Sequence, residues 1–314
     1  MYAGLPFQTL SPWLEARFGR PVHRVALDAG STCPNRDGTK GFGGCTYCDV
    51  EGSGTGALKS GLELARQLEA GLRRVARRGP RVGAIAYFQS YSNTYVPRAR
   101  LAEVLGLLDP WLERADPPLL AVSLATRPDT LPDEHLRLLE ELGRRVEVWV
   151  ELGLESASDE VQRRIRRLHT LAEFHEAARR VRQAGLLCVG HAILGLPGDG
   201  REGARATATE LARAGVEGVK VHQLMVLART QLAAQWRAGE VELLDEARYV
   251  EWLADFVERL APEQVLHRIH GEADDAALLA PRPAFERNRV RSGLVRELGR
   301  RGTRQGARCA AQPR

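Results

Sequence analysis
Six short apolar runs, each followed by a longer stretch of helical spacing, constrain this chain more than anything else in it. The runs are Val22 to Asp28, Gly83 to Phe88, Leu119 to Ala125, Val146 to Leu152, Leu187 to Leu194 and Gly218 to Leu224. Helical patterns fall near Leu58 to Arg78, Arg98 to Arg114, Asp133 to Leu142, Asp159 to Ala184 and Arg201 to Ala214. This alternation is the mark of βα units on a parallel sheet. Right-handed crossovers curl such units one way, so all strand C-termini share one rim, where function is expected. The expected fold is therefore α/β, a partial (βα)6 TIM-like barrel with a small C-terminal extension.

Helix signals agree with this reading. Pro132-Asp133-Glu134 and Ser158-Asp159-Glu160 place acceptors and acidic groups where first-turn amides are free, and Gly185 and Gly215 sit where helices stop. The barrel is expected over 21–230, after an N-terminal segment 1–20. A helical extension follows over 231–301, with helices over Gln231 to Arg237, Asp245 to Leu260 and Phe285 to Arg300 and a strand over Gln264 to Ile269. The end, 302–314, reads as a basic flexible tail.

No apolar run approaches the roughly 18 residues of a spanning helix, and the first residues lack a basic flank before an apolar stretch. Membrane and secretory readings drop out, and a cytoplasmic location is expected. The five cysteines fit that, being too few and uneven for a disulfide framework. Between Arg282 and Arg314 ten arginines face only Glu286 and Glu297, a basic end suited to a polyanion. Only Lys40, Lys59 and Lys220 are lysines, so a general bias toward arginine accounts for that charge equally well.

Chemistry concentrates after the first strand. Cys33 is followed by eleven residues, Cys45, two residues and Cys48. Gly38, Gly41, Gly43 and Gly44 let the intervening backbone wrap closely and aim amides at inorganic sulfur. Two metal readings are open. Three thiolates leave one iron of a 4Fe-4S cube without a protein ligand, whereas a zinc tetrahedron needs a fourth donor such as His23.

Cys45-Thr46-Tyr47-Cys48, with an aromatic before the last cysteine and an earlier cysteine upstream, resembles the radical S-adenosylmethionine (SAM) superfamily. The long first spacing is similar to a narrower set, the radical domain of the elongator catalytic subunit and its stand-alone bacterial relatives. Further segments resemble that set: Cys33-Pro34-Asn35-Arg36-Asp37-Gly38-Thr39, Tyr87 to Thr94, Thr126-Arg127-Pro128-Asp129, Glu151 to Ser156, Gly195-Leu196-Pro197-Gly198, Lys220-Val221-His222 and His267-Arg268-Ile269. The set usually has Gln where Glu155 stands, Asn-Arg-Gly-His where Arg166-Arg167-Leu168-His169 stands, and Gly where Arg229 stands.

The resemblance implies a 4Fe-4S cluster on Cys33, Cys45 and Cys48, with SAM chelated at the open iron. Reductive cleavage of SAM would start hydrogen abstraction from substrate. It also implies tRNA as substrate, at a wobble uridine, and an electron donor such as flavodoxin or ferredoxin. Tyr47 would cover the adenine or the cluster, and Gln89 and Ser90 would bind the methionine end. Arg127, Glu151, Ser156 and Arg167 complete the expected cofactor contacts. Arg127 can instead form an ion pair with Asp129 or Glu151. Lys220 and His222 are the catalytic candidates; His191 shares their strand-interior setting. A radical enzyme on a small metabolite and a non-catalytic metal-holding RNA-binding protein are the competing classes.

Overall fold
The computed structural model describes residues 4–49, 61–114 and 116–310. Strands β1 (Val22–Leu27), β2 (Gly83–Phe88), β3 (Leu119–Thr126), β4 (Glu147–Glu155), β5 (Leu187–Leu194) and β6 (Gly218–Gln223) pair in parallel in chain order. After the short β7 (Val226–Leu227) the chain returns as β8 (Val265–Arg268), a seventh parallel strand beside β6, while β9 (Leu278–Ala280) pairs antiparallel with β7. The helices are α1 (Leu10–Phe18), α2 (Leu64–Ala76), α3 (Arg98–Gly106), α4 (Asp109–Leu112), α5 (Asp133–Gly143), α6 (Asp159–Arg164), α7 (Leu171–Gln183), α8 (Gly200–Ala214), α9 (Gln231–Arg237), α10 (Glu246–Arg259) and α11 (Arg287–Arg300). This is the curled α/β half-barrel that the pattern predicts, one strand longer. β1 and β8 are its two edge strands, β8 being bridged at Leu266 to Thr9.

Four expectations need adjusting. The helical pattern over 159–184 is broken into α6 and α7, because Arg166 and Leu168 take φ of 56° and 58° and Thr170 starts a new helix with a capping box to Glu173. The pattern over 98–114 divides into α3 and α4, with Pro110 near the start of the second. The first helical pattern is helix from Leu64; its expected start, 58–60, lies outside the described residues. The tail is anchored through residue 305, since the buried Gln305 amide donates to the Ala261 and Gln264 carbonyls, both at 2.7 Å, and its oxygen accepts from the Gln8 amide at 2.9 Å. Residues 311–314 lie outside the described residues.

Alternation along the strands sorts the barrel interior into ranks. The lowest is apolar: Ile85, Ala121, Trp149, Val189 and Val265 pack with Leu10 and Leu14 of α1, which closes the bottom. The larger core lies outside the sheet, under the helices. Above the apolar rank comes a polar one, on which the site rests. The basic end is partly neutralised: Arg282, Arg287, Arg289, Arg301 and Arg308 each pair with a carboxylate of the body, and Arg300 pairs with Glu297 within the end itself.

Candidate active site
The loops leaving the C-terminal ends of the strands surround a cavity of about 410 Å³. Cys33, Cys45 and Cys48 all line it. Their loop is shaped by its glycines, with φ of 92° at Gly38, 79° at Gly43 and 84° at Gly44, and a side chain at 44 would press within 3.1 Å of the Arg36 guanidinium. Two N–H groups face the sulfurs: Asn35 Nδ2 lies 3.5 Å from Cys45 Sγ and Arg36 Nη2 lies 3.2 Å from Cys48 Sγ. Burial, and then the neighbouring Cys45, push the Cys48 thiol up to about 12. A thiol held so far from ionisation becomes a thiolate only with a cation beside it, which fits a metal centre.

The cysteine loop is clamped from the far half of the barrel. Asn35 Nδ2 also donates to the carbonyls of Arg166 at 2.6 Å and Arg167 at 3.1 Å, the Thr46 amide donates to the Ile165 carbonyl at 2.9 Å, and the Leu232 amide donates to the Thr46 carbonyl at 2.8 Å. The break between α6 and α7 therefore serves the site. It brings Arg167 to the cavity, where Nη2 lies 3.3 Å from the Gly153 carbonyl and 3.4 Å from Glu155 Oε1. Its Nε is buried with no hydrogen-bond partner among the described residues. Glu155, in place of the usual Gln, thus balances the Arg167 charge. At Gly153 a Cβ would fall 2.1 Å from Arg167 Nη2, so any side chain there displaces the Arg167 guanidinium.

Arg127, held extended before Pro128, is 2% exposed and forks onto Asp129 at 2.8 and 2.7 Å. The ion pair with Asp129 is the one formed. Burial alone would raise the Asp129 pKa, but the Arg127 and Lys40 partners hold it at about 2. Arg127 Nη1 is left buried without an acceptor while the residue lines the cavity. Arg127 and Arg167 thus offer unsatisfied donors to a carboxylate or hydroxyl ligand.

Beneath the cavity lies the polar rank. Glu151, fully buried, accepts from Ser123 Oγ at 2.6 Å on Oε1, while Oε2 receives Lys220 Nζ and lies 2.8 Å from His191 Nε2. Burial opposes its ionisation, yet Lys220 and His191 hold its pKa well below the usual carboxylate range. Burial pulls Lys220 down to about 7 in spite of Glu151, and its ammonium sits 4.1 Å from the Tyr87 ring centroid. His222 donates Nδ1–H to the Gln223 carbonyl at 2.9 Å, and burial lowers its pKa to about 3, so the ring is neutral.

Of the sequence candidates, Tyr47, Gln89, Arg127, Glu151, Arg167, His222 and the three cysteines line one cavity. Ser90, Ser156 and Lys220 are not part of its lining. Ser90 is buried just past the end of β2, where its carbonyl accepts from Ser31 Oγ at 3.0 Å. Ser156 comes after the bulge at Glu155 and donates to Asp199 Oδ1 at 2.6 Å, which ties the end of β4 to the start of α8. Lys220 lies a rank lower, against Glu151. The wall also includes Tyr87 and Arg268, which the sequence matched to family segments without giving them a role, and His191, which it set beside Lys220 and His222 but did not assign; inward alternation from Gln89, Glu151 and His222 was the available signal. His23, the possible fourth zinc ligand, lines a different groove low on β1, and among the described residues no three His, Cys, Asp or Glu side chains form a single-ion site.

Residues 32–211 match the radical SAM superfamily and residues 216–300 the radical SAM C-terminal domain. The chain belongs to the radical SAM superfamily. It is accordingly a radical SAM enzyme, and the family implies a 4Fe-4S cluster and SAM. The three thiols on one wall, with N–H donors at two sulfurs and free arginine donors nearby, fit both. The uncharacterized protein YtqA of Bacillus subtilis is 35% identical over 304 residues, 96% of this chain and 92% of its own. Protein YhcC of Escherichia coli is 35% identical over 271 residues, 85% of this chain and 84% of its own. The tRNA uridine(34) acetyltransferase of Methanocaldococcus jannaschii is 24% identical over 156 residues, 49% of this chain and 28% of its own. Among solved structures, the archaeal Methanocaldococcus infernus Elp3 superposes with a TM-score of 0.73 at 17% identity, over 90% of this chain and 64% of that one. That likeness is one of fold. No helix among the described residues is long and apolar enough to cross a membrane.

Proposed function
We propose that this radical SAM enzyme modifies tRNA at a wobble uridine, with Cys33, Cys45 and Cys48 holding the cluster. The carrying observation is the shared cavity, in which the three thiols, Arg127 Nη1 and Arg167 Nε converge from separate βα loops. When bound, cluster and SAM supply reductive cleavage of a carbon–sulfur bond and hydrogen abstraction from substrate. The protein contributes orientation. Arg127 and Arg167 bind the carboxylate and ribose of SAM, Gln89 and Tyr47 flank it, and the α1 plug with the polar rank closes the floor to water. Glu151 and Lys220 act through His191, which they hold against the cavity, and His222 presents a neutral imidazole to the substrate. The tRNA assignment draws on the name of the acetyltransferase relative, and a flavodoxin or ferredoxin is the expected electron source.

The test has two parts. Anaerobically reconstituted protein with dithionite and SAM should release 5'-deoxyadenosine, and Cys45→Ala should not; a near-stoichiometric cluster without that product refutes the cofactor roles. Bulk tRNA from cells with and without the gene should differ in one modified uridine. Identical nucleosides would move the substrate to a small metabolite.

A further inference from the structure
We propose that the open seam of the half-barrel seats a phosphate group of the substrate, held by Arg24 of β1 and Arg268 of β8. This rests on the nucleic-acid reading above and names the surface that would serve it. The two strands are the edges of the sheet and do not pair, and between them lies a groove of about 580 Å³. Its floor is made by α1, tied to β8 where the Leu266 amide donates to the Gln8 carbonyl at 3.0 Å.

The groove asks for an anion. Arg24 Nε and Nη2 and Arg268 Nε are buried with no hydrogen-bond acceptor among the described residues, as is His267 Nδ1. A buried guanidinium N–H left without an acceptor carries a desolvation cost that a bound anion would relieve. Four arginines line the groove, Arg24, Arg268, Arg287 and Arg291, against a single carboxylate, Glu272. Glu272 is already engaged, 3.0 Å from Arg287 and 3.1 Å from His270. Planar N–H forks from two sides suit a phosphate oxygen pair better than a lone halide or a carboxylate-poor apolar ligand.

The groove also leads somewhere. Arg268 and Glu272 line both it and the cavity of the three cysteines. A nucleotide whose phosphate rests on Arg24 and Arg268 would therefore extend its nucleoside toward the rim where the chemistry is set. The exposed Arg291, for which no ion pair is found among the described residues, would meet the next phosphate outside.

The experiment uses the full-length, anaerobically reconstituted protein and a fluorescein-labelled anticodon stem–loop RNA, with anisotropy from 50 to 300 mM salt. Arg268→Gln should weaken binding about 10-fold and flatten the log–log salt slope by about 1, and Arg291→Gln should weaken it about 3-fold. Arg268→Lys, checked for an unchanged thermal midpoint, should recover part of the loss. RNA bound equally by all variants overturns the seat and leaves the tRNA reading standing. If the wild type ignores RNA but binds inorganic phosphate or uridine monophosphate, and Arg268→Gln does not, the seat stands and the tRNA reading falls. Binding of none of these ligands overturns the seat.

Discussion

Replacing Asp129 by Asn removes the charge that holds Arg127 in place, and the consequence can be worked through. The two side chains are 3% and 2% exposed, and two hydrogen bonds join them. In an unfolded chain the Asp129 carboxyl titrates at 3.8, and in the fold at about 2. At about 1.4 kcal/mol per tenfold change in proton affinity, that lowering is worth about 2 kcal/mol of stability. Because the folded pKa lies below the unfolded one, the contribution is complete above 3.8 and fades as pH falls toward 2. The neutral amide would also leave Arg127 buried and uncompensated, which raises the expected loss toward the 3–5 kcal/mol typical of broken buried pairs. Urea midpoints of wild type and Asp129→Asn should differ by about 1 M at pH 6.5. The gap should hold down to about pH 4 and narrow below it. SAM affinity should fall in parallel, since Arg127 loses its fixed direction. A loss under about 0.5 kcal/mol, or a gap that does not narrow between pH 4 and 2.5, would refute the reasoning.

Three other outcomes are expected. Gly153→Ala should fold but lose most SAM binding by titration calorimetry, because the new Cβ would lie 2.1 Å from Arg167 Nη2 and 2.5 Å from Glu155 Oε1; near-wild-type affinity would remove Arg167 from the site. Glu151→Gln should lower the urea midpoint more at pH 5.5 than at pH 8, because Lys220, already drawn down to about 7 by burial, sheds its proton once Glu151 no longer holds it; Lys220→Met added to it should restore more than half of the loss at pH 5.5. Arg229→Gly should raise the thermal midpoint by about 1–3 °C: Arg229 is exposed at φ 62°, a conformation costing a non-glycine residue about 1–2 kcal/mol, partly offset by the flexibility of glycine in the unfolded chain.

Strand periodicity was the most legible part of this chain. β2 and β5 occupy the residues that the apolar runs predict, and β1, β3 and β6 differ by one residue at an end. β4 extends three residues beyond its apolar run, since Gly153 and the bulge at Glu155 carry the strand into the site. The helix break at 165–170 was hidden because Arg166 and Leu168 occupy left-handed positions without being the residues that usually announce them. Thr170 and Glu173 did carry a capping-box signal that the charge run before them obscured. In the site, motif order identified the cavity wall on β1 to β6. Tertiary proximity is what sequence order conceals: His191 meets Lys220 at Glu151 across three strands, and Arg268 reaches the same cavity from a strand outside the first six βα units. α1, with weak amphipathicity, gave little sign that it closes the barrel floor.

The clamp on the cysteine loop imposes an order of events on biosynthesis. Residues 33–48 leave the ribosome well before Ile165, Arg166, Arg167 and Leu232, the residues whose backbone groups grip them. A nascent chain halted before α6 carries all three loop cysteines yet lacks the backbone groups that grip their loop, so iron and sulfide delivered at that stage meet an unshaped loop. With the cluster on these cysteines, as proposed, loading is expected only once Leu232 has been made, and a product truncated before α6 is expected to be colourless.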